Sequence, residues 1–101
     1  MTGKKYTFDP YVIDTLMRDL VGHDRRTSAF IVYLTLASSS AEKQLPRLSH
    51  AQIAEQTGLS KRGVQDAVDH LIARGLLRRT TTGATEVARY EVLTPWRRLG
   101  D

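Results

Sequence analysis

Val12, Ile13, Leu16, Met17 and Leu20 recur at helical spacing, with Asp14, Arg18 and Asp19 on the opposite side. Asp9-Pro10 stands just before them. An Asp accepts hydrogen bonds from first-turn amides, and a Pro loses nothing at the first helical position, where its N–H would have no partner. The pattern predicts a first helix from Pro10 to about Val21, stopped at Gly22. Asp24 then caps a second helix running to around Ser39. Its middle, Ala29 to Ala37, is apolar nearly all round. The β-branched and aromatic content there also fits a buried strand, but the length of the tract favours a central helix. Such a helix carries more apolar surface than one small partner helix covers.

Ser38 to Lys43 reads as a polar loop, and Gln44 to Leu48 as a short strand interrupted by Pro46. Ser49 with Gln52 three positions on is a capping box, predicting a short third helix from His50 to about Thr57. Gly58 permits a sharp turn. Ser60 caps a fourth helix that ends at Arg74-Gly75. Leu76–Thr81 and Glu86–Leu93 alternate like strands, and Thr82-Gly83-Ala84-Thr85 supplies the turn of a hairpin. Pro95 to Arg98 forms a basic tail, in which Trp96 either packs back on the first helices or anchors a partner.

The chain has 101 residues, enough for one domain, and 41% of them are hydrophobic, enough for one modest core. The absence of Cys removes disulfides, thiolate chemistry and cysteine-based zinc sites. Fifteen Lys and Arg against eleven Asp and Glu leave a net charge of +4, which favours an anionic partner. His23, His50 and His70 lack metal-ligand spacing, and His70 one turn from Asp66 reads as a helix-surface ion pair. Gly3-Lys4-Lys5 lacks the glycines of a phosphate loop, and no serine or carboxylate pair sits in a catalytic setting. No enzyme activity, cofactor, metal or small-molecule ligand is expected. The start of the chain has no apolar run of the signal-peptide type and no stretch is of membrane-spanning length. A soluble, cytoplasmic, nucleoid-associated protein is expected.

The informative stretch runs from Leu48 to Arg79. Ala54, Gly58 and Val64 have the spacing a helix-turn-helix needs: a small residue where two helices cross, a glycine in the turn, and an apolar plug between the helices. Ile53 and Leu59 assist the plug, and Ala67, Val68, Leu71 and Ile72 continue the buried stripe. Lys61, Arg62, Gln65, Asp66 and Asp69 occupy the opposite face. A helix of this kind presents its N-terminal residues to the major groove. There Lys61 and Arg62 suit guanine O6/N7, Gln65 suits adenine N6/N7, and Asp69 suits cytosine N4. Ser60 and the free first-turn amides suit a phosphate. Arg78 and Arg79 lead into the hairpin, and Arg89 lies on the return strand.

The run Leu48-Ser49-His50-Ala51-Gln52-Ile53-Ala54-Glu55-Gln56-Thr57-Gly58-Leu59-Ser60-Lys61-Arg62-Gly63-Val64, with Leu71 and Gly75-Leu76-Leu77-Arg78-Arg79, resembles bacterial winged helix-turn-helix regulators of the GntR and MarR kind. It is at least as similar to winged helices of phage and plasmid replication proteins. The resemblance covers about a third of the chain. It implies a mainly helical fold with a small β-hairpin (α+β), three to four helices plus a wing, spanning residues 1–101 as one domain. It also implies double-stranded DNA as partner, with Ser60, Lys61, Arg62 and Gln65 in the groove and Arg78 and Arg79 opening the wing. Gly63 departs from the pattern and weakens the helix's first turn by up to ~1 kcal/mol. Asp66 and Asp69 bring negative charge toward phosphates, and Gly83-Ala84 leaves the wing tip uncharged.

Three functions fit these residues: transcriptional regulation, replication initiation, and a winged helix used for protein contact alone. The apolar surplus of Phe30–Ala37 and the Val12–Leu20 stripe together favour a homodimer through the N-terminal helices.

Overall fold

The computed structural model describes residues 7–39, 48–80 and 89–98. A first helix comprises two stretches, Val12–Leu16 and Arg18–His23, wound widely enough that the Met17 amide donates to the Val12 carbonyl five residues back. The second helix spans Thr27–Ser39, the third His50–Thr57 and the fourth Lys61–Ala73. Strands β1 (Leu77–Thr80) and β2 (Arg89–Val92) pair antiparallel, and a single 3-10 turn covers Pro95–Arg98. Four helices followed by a two-stranded hairpin is the winged-helix arrangement expected from the sequence. The predicted strand over 44–48 and the hairpin turn over 82–85 lie outside the described residues, apart from Leu48.

The second helix is the hub. Ala29, Phe30, Val32, Tyr33 and Leu36 are buried, in one cluster with Val12, Leu16 and Leu20 of the first helix. Ile53 of the third helix, Val64, Ala67, Val68 and Leu71 of the fourth, and Leu76, Leu77 and Tyr90 of the hairpin complete the cluster. The apolar tract is therefore a helix rather than a strand, and its surplus surface is covered within the chain. The Tyr33 hydroxyl donates to the Leu93 carbonyl at 3.2 Å, tying this helix to the end of the hairpin. Trp96 packs back on the chain's start. Its ring stacks on Tyr11 at 4.5 Å, and its indole N–H donates to Asp9 Oδ2 at 2.9 Å.

Four expectations need correction. The first helix passes through Gly22 and ends at His23, because Gly22 does not take the left-handed conformation that would stop it. Asp24 does not cap the second helix. Its backbone closes the first helix with an N–H bond to Asp19, and its side chain turns elsewhere. Between the two helices Arg25 is left-handed at φ 58°, so helical winding resumes only at Thr27. Ile72 does not continue the buried stripe: it lies at the stripe's edge and is 38% exposed. His70 pairs with Asp24, not with Asp66 one turn away.

Candidate nucleic-acid interface

The corner between the third and fourth helices is built by local hydrogen bonding. The Gln52 N–H donates to Ser49 Oγ and the Ser49 N–H to Gln52 Oε1, which completes the capping box. Gly58 adopts φ 82°, and its N–H donates to the Ala54 carbonyl at 2.8 Å. A residue with Cβ takes this conformation only with strain. The Thr57 hydroxyl donates to the Ile53 carbonyl and accepts from the Leu59 N–H, so it fastens the chain on both sides of the turn. Ser60 then turns extended, and its Oγ accepts the Gly63 N–H at 2.9 Å, starting the fourth helix. Gly63 has a local reason: a Cβ there would stand 3.0 Å from Ser60 Oγ and crowd the cap.

Val64, 0% exposed, fills the angle between the helices beside Ile53. With Val64, Ala67, Val68 and Leu71 turned inward, Lys61, Arg62, Gln65, Asp66 and Asp69 are left exposed together on the outer face. Lys61, Arg62, Gln65 and Asp66 line one shallow depression on that face. The helix ends in a Schellman cap. Gly75 at φ 73° donates to Ile72, and Leu76 donates to Leu71, where both leucines are buried.

The hairpin register separates the three arginines predicted for the wing. Leu77 pairs with Val92, Arg78 with Glu91, Arg79 with Tyr90, and Thr80 with Arg89. Paired residues share a face and faces alternate along a strand. Arg79 therefore lies on the side of buried Tyr90, toward the helices, whereas Arg78 and Arg89 lie on the outer side. Arg78 Nη1 donates to Glu91 Oε1 at 2.8 Å. Burial raises the pKa of the Tyr90 phenol, and the Arg79 guanidinium opposite it in the ladder pulls the other way. Burial, followed by the charges of Arg79 and Lys61, holds His50 below its ordinary range despite the opposing pull of Asp69. Lys61 and Arg79 thus both bear electrostatically on the imidazole at the start of the third helix.

Behind the opposite flank Asp24 gathers three partners. Its Oδ1 lies 3.0 Å from His23 Nδ1, and its Oδ2 lies 2.8 Å from His70 Nε2 and 2.9 Å from Arg74 Nε. The hydrogen bonds to His23 and His70, then the charge of Arg74, bring its pKa down to about 2. The side chain is only 10% exposed, so these bonds are poorly screened and fix the connection before the second helix against the end of the fourth. The fold brings Asp24 to His70 and Arg74, and Arg26 into a shallow depression with Asp66, Asp69 and His70 of the fourth helix, contacts that no sequence motif announces.

Residues 26–77, just over half of the chain, match the profile of a family described as a helix-turn-helix domain. The chain belongs to this helix-turn-helix family. No curated protein and no solved structure matches it. In this helix-turn-helix domain the helix after the turn is the one capped by Ser60, and family membership points to DNA as the partner. Among the described residues no group of three or more His, Asp or Glu side chains is arranged to hold a metal, and no helix is long and apolar enough to cross a membrane.

Proposed function

We propose that this domain binds duplex DNA sequence-selectively and acts as a transcriptional regulator at the nucleoid. The observation that carries the reading is the shared exposure of Lys61, Arg62 and Gln65 on the first turns of a helix whose other side is locked in the core. In the major groove Lys61 and Arg62 donate to guanine, Gln65 makes paired hydrogen bonds to adenine, and Asp69 accepts from cytosine. Ser60 and the neighbouring amides hold a phosphate at the helix N-terminus. Arg79, directed toward the helices, meets the backbone beside His50, while Arg78 and Arg89 on the outer face add charge further along the wing.

A homodimer through the first helix completes the proposal. Ile13 and Met17 are 48% and 39% exposed one turn apart, and Asp14 and Arg18 beside them supply opposite charges for a two-fold related copy. Two copies would present recognition helices to successive major grooves.

A salt-titrated binding assay on random and selected duplexes tests the function. Affinity should fall steeply from ~50 to ~200 mM salt, with selection converging on a defined site. Absence of duplex binding at low salt overturns the reading. Sites recovered at promoters support the regulator, and iterated sites at an origin replace it with a replication role.

A further inference from the structure

The recognition helix carries a basic edge at Lys61, and Arg79 on the helix-facing side of the hairpin adds a second exposed cation. At 100° per residue its exposed face runs from Lys61 through Gln65, Asp69, Arg62 and Asp66 to His70. The far edge, Asp66 and His70, is the one beside the connection between the first and second helices. Arg26 shares a shallow depression there with Asp66, Asp69 and His70. Arg25 and Arg26 are both exposed, and among the described residues neither guanidinium makes a hydrogen bond or ion pair.

The backbone that presents them is strained and held from several sides. Arg25 sits at φ 58°, a conformation that costs a residue with Cβ of order 1 kcal/mol or more. The Arg26 N–H donates to the Leu20 carbonyl at 2.7 Å, and the Asp24 N–H to Asp19 at 2.7 Å. The Asp24 carboxylate is itself anchored to His70 and Arg74 of the recognition helix. Strain maintained by so many contacts sets the direction in which the two arginines leave the surface.

We propose that Arg25 and Arg26 are phosphate-binding residues that grip the DNA strand opposite the one met by Arg79, so that the recognition helix enters the groove between two basic flanks. The inference rests on the DNA-binding reading and adds a second line of contact to it. It also accounts for Asp66 and Asp69. Each carboxylate has a basic neighbour on its own side, and five exposed cations (Arg25, Arg26, Lys61, Arg62 and Arg79) outnumber the two acids on this surface.

The test is the double variant R25N/R26Q, since Asn tolerates the left-handed conformation that Arg25 occupies. Circular dichroism and thermal melting should match wild type. The slope of log affinity against log salt should fall by about two units per bound protomer, and ethylation interference should disappear from phosphates of one strand within each half-site, with base preference unchanged. If wild type binds DNA and the variant keeps both slope and interference pattern, the flank is not a contact and the inference fails while the DNA reading stands. If wild type binds no duplex at low salt, both fail.

Discussion

Asp24 Oδ2 accepts a hydrogen bond from His70 Nε2 at 2.8 Å, joining residues 46 positions apart. Because the native pKa of Asp24 lies near 2, below the ordinary 3.8, the ionised carboxylate favours the folded state. That stability is fully present above pH ~4 and is lost as pH falls through 2. Asp24→Asn should therefore cost about 2 kcal/mol at pH 7 and progressively less below pH 4. Urea unfolding across that range checks it; a penalty that does not shrink in acid would sink the assignment.

The hairpin register makes adjacent arginines unequal. Arg78 is already paired with Glu91, whereas Arg79 sits on the face toward the helices. Arg79→Ala should lower the salt slope of DNA binding by about one unit per bound protomer. Arg78→Ala should lower it less, and Glu91→Gln should strengthen binding by freeing Arg78. Equal losses from both arginine variants would contradict the division.

Gln65 stands exposed between Lys61 and Asp69 around the recognition helix. Replacing it with Ala should relax base preference at one position by ~1–3 kcal/mol while leaving the salt slope unchanged. Selection from randomised duplexes measures this directly, and an unaltered site would remove Gln65 from the base-reading set.

The corner should be costly to alter. Gly58→Ala places a Cβ at φ 82°, with a penalty of roughly 1–2 kcal/mol, although nothing lies within 4 Å of that Cβ. Ser60→Ala removes the cap from Gly63 and should cost ~1 kcal/mol. Both values are accessible from denaturant midpoints, and the open space around Gly58 makes backbone conformation the sole cause there.

From Ser49 to Gly75 the local signals made the fold legible in the sequence, whereas the equally local stop at Gly22 did not hold. The Ser49–Gln52 capping box, the left-handed Gly58, the Ser60 cap and the Gly75 stop all stand where short-range chemistry put them, so the recognition helix and its outward face were readable too. The connection before the second helix was not. Asp24 looks like an N-cap when only its chain neighbours are considered, but its hydrogen bonds go to His70 and Arg74 far along the chain, and Arg25 turns left-handed without a glycine to announce it. For the same reason Arg25 and Arg26 looked like the opening of a helix. The difference between Arg78 and Arg79 likewise depends on strand register, which alternation alone leaves one residue uncertain.

The hub position of the second helix separates what is recognisable from what can fold. Residues 26–77 carry the family resemblance, yet Val12, Leu16 and Leu20 precede that stretch and Tyr90 follows it, and all four are buried in its core. A fragment cut to the matched residues would expose the apolar surface that those side chains cover and lose the Tyr33–Leu93 hydrogen bond. The helix-turn-helix shares its core with segments on either side of it, and shortening the chain to its signature should yield an aggregating polypeptide rather than a minimal DNA-binding module.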